Sequence, residues 1–472
     1  MYLTRLRLKD FRSYESVDLS LEPGTTIFVG PNGYGKTNLV EAVGFLATLG
    51  SHRVGSDQPL IRAGCDQATV VARVQAGIGD DRCLEVGVDI RASGANRALL
   101  NSASVRPREI LGAVRTVTFA PEDLSIVRGD PSERRGFIDE LVVSRWPRLA
   151  GVKAEYDRAL KQKTTLLKAM SGRSVRQAGA GAEETLGVWD DAIVNLGAEL
   201  VAARLRTVED LSPLVSSDYD GIAPVPSRAS MSYSSSSIPP ETPPEVESLR
   251  GLLAERIQER RGEEIARGVC LVGPHRDDIA LCLGSLPVKG YASHGEGWSY
   301  ALALRLASVD LLQEDGVDPI LILDDVFAEL DEHRRARVVA AMESVEQALV
   351  TVAVRKDLPP SLVARFFDVG RGTVTPEDTT AFVILPEAGS PSADQEVRPL
   401  GHGDGSFVPH DGSAVAADSP VAILPTPPVI LPEKGSPDLP VDKVGQKNRP
   451  HVPQPVILPQ AGSPSPDQEV RT

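Results

Sequence analysis

Four residues raise the first chemical question. Gly30, Gly35, Lys36 and Thr37 fit the spacing G-x-x-x-x-G-K-[ST] without a mismatch, and the loop between them reads Pro31, Asn32, Gly33, Tyr34. Glycines let the backbone wrap tightly enough for several N–H groups to converge on a triphosphate. Lys36 supplies a point charge to the β and γ phosphates, and the Thr37 hydroxyl is a hard ligand suited to Mg²⁺. A second set of acids lies far downstream. In "PILILDD" an apolar strand, Ile320 to Leu323, delivers Asp324 and Asp325. Asp324 is placed to hold Mg²⁺ through water, and Asp325 to polarise an attacking water, with Lys36 offsetting the charge that develops. The plain alternatives are a glycine turn that binds nothing and a strand-end turn. An unbroken P-loop pattern paired with hhhhDD favours ATP and Mg²⁺.

The elements around these residues fit that chemistry. "TTIFV" is β-branched and aromatic, and "KTNLVEAVGFLATL" has helical apolar spacing, so the phosphates would meet a helix N-terminus. "LTRLRLKDFRSYESVDLSL", "QATVVARVQAG", "CLEVGVDI" and "AVRTVTFAPEDL" read as strands. Helical periods follow in "SERRGFIDELVVSRW", with Ser132 as an N-cap candidate, in "LAGVKAEYDRALKQKTTLLKAM", "VWDDAIVNLGAELVAARL" and "SLRGLLAERIQERRGEEIARG". Strands return in "DDIALCLG", "PILILDD" and "QALVTVAVR". The class is α/β, a P-loop ATPase head with a helical second lobe. Its boundaries fall at 1–130 (first part of the ATPase domain), 131–266 (helical lobe, with a Ser/Pro-rich exposed loop over 215–245), 267–370 (second part) and 371–472. The last segment is Pro-rich and repeats "VILPEAGSPSADQEVR", "VILPEKGSPD" and "VILPQAGSPSPDQEVR". It reads as a disordered tail, either a spacer or a row of short docking segments for an unknown partner.

Composition narrows the class. The chain has 472 residues, 41% hydrophobic and 24% charged, which suits a soluble globular protein. A formal net charge of −15 gives no bulk positive field for nucleic acid, although one basic face can sit on an acidic protein. Aromatics at 4% leave little for stacking on single strands. Cys65, Cys83, Cys270 and Cys282 are scattered, with no C-x-x-C pair for zinc. No apolar run is long enough to span a bilayer, so a cytoplasmic location with reduced thiols is expected.

"YASHGEGWSYALALRLASVDLL" lies between the two nucleotide motifs. Ser293, His294, Gly295 and Glu296, ahead of an amphipathic helix, resemble the S-G-G-Q signature of ABC-type ATPases. That likeness implies that Ser293, Gly295 and Glu296 of one subunit close over the γ-phosphate held by another. In "AELDEHRR", Asp331 resembles the aspartate that such dimers place across their interface. Taken together, "LRLKDFRSYESVDL", "GPNGYGKTNLVEA", "SHR" at Ser51 to Arg53, "FAPEDLSIVRGDPSERRGFID", "LVGPHRDD", "SHGEGWSYALALRLA" and "LILDDVFAELD" resemble the RecF family over roughly the first 370 residues.

The resemblance implies a head like that of chromosome-maintenance ATPases and a clamp-like homodimer that forms with ATP on DNA. It implies slow, DNA-dependent ATP hydrolysis and action with RecO and RecR in loading RecA onto gapped DNA, in repair, replication and the SOS response, near the nucleoid. Three departures stand out. Glu296 replaces the signature glutamine, "EGW" replaces a more polar stretch, and "QALVTVAVR" lacks a switch histidine. The candidate basic clusters for DNA are Arg134 with Arg135, and Arg256 with Arg260 and Arg261. A basic cluster interleaved with glutamates is more often a solvated helix face. "GPHRDD" (His275, Arg276, Asp277, Asp278) either braces a turn or touches nucleotide. Two other function classes remain open: a nuclease-linked ATPase of the overcoming-lysogenization type, and a nucleotide-binding subunit of a transporter.

Overall fold

A computed structural model of the chain describes residues 1–171, 180–223, 227–360 and 362–377. The chain opens with β1 (Tyr2–Phe11), β2 (Tyr14–Ser20) and β3 (Gly24–Val29), then α1 (Lys36–Thr48). A meander follows: β4 (Gln67–Gly77), β5 (Asp80–Arg91), β6 (Arg97–Leu100) and β7 (Ala103–Val105). After β8 (Thr116–Phe119) come α2 (Leu124–Arg128), α3 (Pro131–Arg145), α4 (Leu149–Ser171) and α5 (Ala180–Ile222). Next are β9 (Ala229–Ser234), α6 (Val246–Arg267), β10 (Asp278–Leu283), β11 (Leu286–Pro287) and a short α7 (Val288–Tyr291). The last elements are α8 (His294–Glu314), β12 (Ile320–Asp324), α9 (Glu332–Ser344), β13 (Gln347–Val352), β14 (Arg365–Val369) and β15 (Val374–Pro376).

The central sheet runs β15-β14-β3-β13-β12-β8, parallel except for β15 at the edge. Its strands are apolar on both faces, as a sheet covered on both sides must be. In β12, Ile320 and Ile322 face one core while Leu321 and Leu323 face the other. The first core holds α1 and the antiparallel sheet β2-β1-β4-β5-β6-β7. The second is built around α8, with α2, α3, α5 and α9. Thus α8 is buried on nearly every face from Gly297 to Leu312, rather than amphipathic as its sequence reads. A three-stranded sheet, β11-β10-β9, joins the helical lobe to this second core.

Four sequence expectations need correction. The loop expected over 215–245 begins inside α5, which continues to Ile222 through Pro213. Leu211, Val215, Tyr219 and Ile222 recur at helical spacing and are all buried, which outweighs the local Ser and Asp residues. Within the same stretch, β9 alternates buried Ala229 and Met231 with outward serines, and those serines hide the period of two. Ser132 is not a cap: α3 starts with Pro131 at its first position and Asp130 before it. The head also runs past Arg371, because β15 pairs antiparallel with β14 and Val374 packs on the first core. The "VILP" repeats lie outside the described residues.

Candidate functional site: a nucleotide pocket and a signature helix

The P-loop leaves β3 at Gly30 and enters α1 at Lys36. Gly30 admits no side chain, since a Cβ there would stand 2.4 Å from the Val369 carbonyl oxygen of β14. At Gly35 φ is +109°, and a Cβ would meet Ser13 and Tyr14 at under 3 Å. The β1–β2 turn therefore presses on the loop from one side, and the Tyr14 hydroxyl donates to the Gly35 carbonyl at 3.1 Å. Lys36 is only 3% exposed, and its ammonium donates to Asn32 Oδ1 at 3.1 Å and stands 3.7 Å from Asp325 Oδ2.

The downstream acids reach this loop through β13, the strand read from "QALVTVAVR". β13 lies between β3 and β12, and its Thr351 donates to Asp324 Oδ1 at 2.6 Å. Thr37 donates to the same oxygen at 2.9 Å, and His52 Nε2 lies 3.8 Å from Asp324 Oδ2. Burial pushes the Asp324 carboxyl up, but the nearby His52 and hydrogen bonds from Thr351 and Thr37 outweigh it, so the group stays below the ordinary carboxylate range. Thr37 and Asp324 are hard oxygen donors side by side, a donor set that fits Mg²⁺. Asp325 is different. Its φ of +51° turns it out of the strand, with its amide donating to the Thr351 hydroxyl at 2.9 Å. Burial holds its carboxyl above the usual value despite Lys36, and Oδ1 is buried with no hydrogen-bond partner. Such a carboxylate is a proton acceptor with one oxygen unspent.

The "SHR" segment joins this pocket from outside the motifs. Glu41 of α1 is fully buried and binds Arg12 through both oxygens, at 2.5 and 2.9 Å, and Ser51 at 2.5 Å. Arg53 reaches Asn38 and Glu41 at 3.1 and 3.5 Å. A buried carboxylate is costly unless its oxygens are filled in this way. Thr351, Arg12 and His52 are the contributors that sequence reasoning missed, and nothing in a run such as "QALVTV" distinguishes a threonine that bridges from one that fills.

The signature residues are held by the other core. Exposed Ser293 caps α8 in a reciprocal box: its hydroxyl accepts from Glu296 N at 3.3 Å, and its own N–H donates to Glu296 Oε2 at 2.7 Å. Those hydrogen bonds hold the Glu296 carboxyl below its usual range. Asp331 caps α9 by accepting from Arg334 N at 2.9 Å. The Arg334 guanidinium pairs with Asp331 at 3.0 Å and donates to the Gly295 carbonyl and the Ser299 hydroxyl, both at 3.1 Å. Gly295 and Asp331 are thereby fixed to one another. Deeper along α8, Arg305 donates to Asp123 at 2.6 Å, just beyond β8. Trp298 of the "EGW" departure packs edge-on against Phe119, at 5.9 Å between ring centres.

"GPHRDD" is a brace. His275 Nδ1 meets the Tyr156 hydroxyl at 2.6 Å, and burial pushes its pKa down to about 4. Arg204 grips Asp139 with two bonds and the Pro274 carbonyl with a third at 2.7 Å. Asp277 accepts from Tyr233 at 2.6 Å, and Asp278 takes a two-bond contact from Arg134. Arg135 donates to the Asp277 carbonyl at 2.8 Å. Of the other basic cluster, Arg256 and Arg260 pair with Glu259 and Glu263 one turn away, and Arg261 with Asp190. Both clusters are committed to the protein's own carboxylates and carbonyls.

Comparison with known proteins agrees with this geometry. Residues 2–360 match the family model described as the RecF/RecN/SMC N-terminal domain. A protein of Cutibacterium acnes named DNA replication and repair protein RecF is 51% identical over 386 residues, covering 79% of this chain and 98% of its own. One of Streptomyces avermitilis with the same name is 51% identical over 379 residues, covering 79% and 99%. A solved structure described as the recombination mediator protein RecF-ATPrS in the RecFOR pathway superimposes with a TM-score of 0.70. It is 25% identical, with 79% of this chain and 98% of that one covered. Among the described residues no helix is long and apolar enough to cross a membrane. With an ABC-type ATPase head, a P-loop facing paired acids and close relatives of that name over most of its length, this chain belongs to the RecF family.

Proposed function

We propose that the chain is an ATP-gated DNA clamp that acts as a recombination mediator. Two copies, each with ATP and Mg²⁺ in its P-loop, close on each other over DNA. Ser293, Gly295 and Asp331 of each copy complete the other's pocket. The closed dimer works with RecO and RecR to load RecA at gaps, in repair, replication and the SOS response, in the cytoplasm at the nucleoid. The observation that carries this reading is the meeting of Thr37, Asp324, Asp325 and Lys36 in a chain 51% identical to two DNA replication and repair proteins.

The chemistry assigns a role to each group. Backbone N–H groups from Gly30 to Thr37, with Pro31, Asn32 and Tyr34 shaping the loop, bind the phosphates, and Lys36 neutralises charge at the transferred group. Mg²⁺, held by Thr37 and Asp324, supplies Lewis acidity when bound. Asp325 orients and deprotonates water. An aspartate is one carbon shorter than a glutamate and is here drawn towards Lys36, which favours slow hydrolysis that times release.

The test is DNA affinity measured with and without ATP across a salt series. The expected result is ATP-dependent binding to gapped duplex whose log–log slope counts several phosphate contacts. Affinity indifferent to ATP, or no DNA binding, would overturn the clamp and favour a transporter-type subunit.

A further inference from the structure

Arg128 ends α2 directly beside the signature, and nothing so far has used it. Its Nη1 stands 3.3 Å from His294 Nδ1, and a Cβ on Gly297 would lie 3.2 Å from its Nε. The guanidinium thus lies along the first turn of α8, one residue from Ser293. The segment that carries it is fixed: Lys289 and Arg134 both donate to the Gly129 carbonyl, at 2.9 and 3.1 Å.

Arg128 has no carboxylate partner among the described residues: none lies within ion-pair distance, although most arginines near it are paired. Its contact with His294 competes with a second donor for one ring. A neutral imidazole has one acceptor nitrogen, and an imidazolium has none. The Trp298 indole N–H, which can only donate, already takes His294 Nε2 at 3.1 Å. A guanidinium can only donate as well, so His294 satisfies one of the two and leaves at least four of the five Arg128 N–H groups without a bond from it. An exposed arginine with most of its donors unspent faces the capped end of the helix that would meet a phosphate.

Glu296 gives that charge a purpose. Where the ABC-type signature has a neutral glutamine, this chain holds a carboxylate against the Ser293 N–H. An anion there opposes a terminal phosphoryl group, and Arg334 on the other side is already neutralised by Asp331. Arg128, beside the same helix turn and without a carboxylate partner among the described residues, is a cation that can offset it.

We propose that Arg128 is a phosphate-contacting residue supplied in trans: it moves with Ser293 and meets the terminal phosphoryl group of ATP bound by a second copy of the chain. This rests on the ATP-sandwiched dimer proposed above. Arg128→Ala is expected to weaken ATP-dependent self-association about a hundredfold, because the two-fold dimer loses two charge-assisted hydrogen bonds of about tenfold each. Arg128→Lys should lose less. Adding Glu296→Gln to Arg128→Ala should recover part of the loss, because it removes the opposing charge.

The decisive experiment mixes variants and follows hydrolysis. Arg128→Ala with Lys36→Ala forms heterodimers in which the only intact P-loop faces an intact Arg128. Activity should exceed that of either variant alone. Ser293→Arg mixed with Lys36→Ala is the control for the sandwich. Restoration in the control but not with Arg128→Ala, or wild-type association by Arg128→Ala alone, overturns the role of Arg128 and leaves the dimer standing. Failure of both mixtures overturns the dimer and this proposal with it.

Discussion

The nucleotide pocket and the signature face are built by opposite strategies. In the pocket, residues nearly three hundred positions apart meet through a buried parallel sheet, as Thr37 and Asp324 do at 2.9 Å. Its groups answer one another, and one oxygen of Asp325 is left unspent. On the signature face, Ser293 and Asp331 are exposed, and each is satisfied by its own helix as an ordinary N-cap. The pocket is a site within one chain. Under the proposed clamp, the signature face becomes one only when another phosphate-bearing surface arrives.

The largest expected effect comes from breaking the pocket. Lys36→Ala should weaken ATP binding by about 2–5 kcal/mol, the usual cost of removing one member of a buried charged contact, as read by equilibrium titration. Wild-type affinity would contradict the placement of phosphate beside Lys36. Breaking the signature face should separate the two regions cleanly. Ser293→Arg should bind ATP as the wild type does and yet sediment as a monomer with ATP. A dimer from that variant would show that the face plays no part in closure.

The sequence made these two regions unequally legible. The P-loop is local, so its spacing alone places Gly30 to Thr37. Asp324 and Asp325 follow from an apolar run and a position in the chain. Thr351 carries no such mark, because a β-branched residue in a buried strand is expected whether or not it bridges. His52 and Arg12 fall in phrases that carry the family resemblance, but their roles are hidden, since their partners Asp324 and Glu41 are brought near only by tertiary packing. The signature has the reverse problem. "SHGE" reads equally as a capping box, and in the single chain it is one. The loop expected over 215–245 failed because local Ser, Asp and Pro signals spoke louder than the buried spacing of Val215, Tyr219 and Ile222.

The smallest expected effect sharpens how the signature face is anchored. Buried Asp218 of α5 holds Arg337 of α9 at 2.8 Å, so it steadies the helix that Asp331 caps. Burial, with Asp310 nearby, raises its pKa from 3.8 to about 6. A raised folded-state value means that the native state prefers the proton. Its stabilisation is therefore complete below about 3.8 and is lost as pH rises through about 6. Asp218→Asn carries no charge to lose. The difference in melting temperature, variant minus wild type, should grow between those two values, and a difference constant with pH would contradict the assignment.

One structure would test the central claim most directly: the chain crystallised with a non-cleavable ATP analogue and Mg²⁺. The expected result is a two-fold dimer in which Ser293 of each copy lies within hydrogen-bond distance, about 3 Å, of the terminal phosphoryl group in the other copy's P-loop. Analogue bound at Lys36 and Thr37, with Ser293 facing solvent in every packing arrangement, would contradict it.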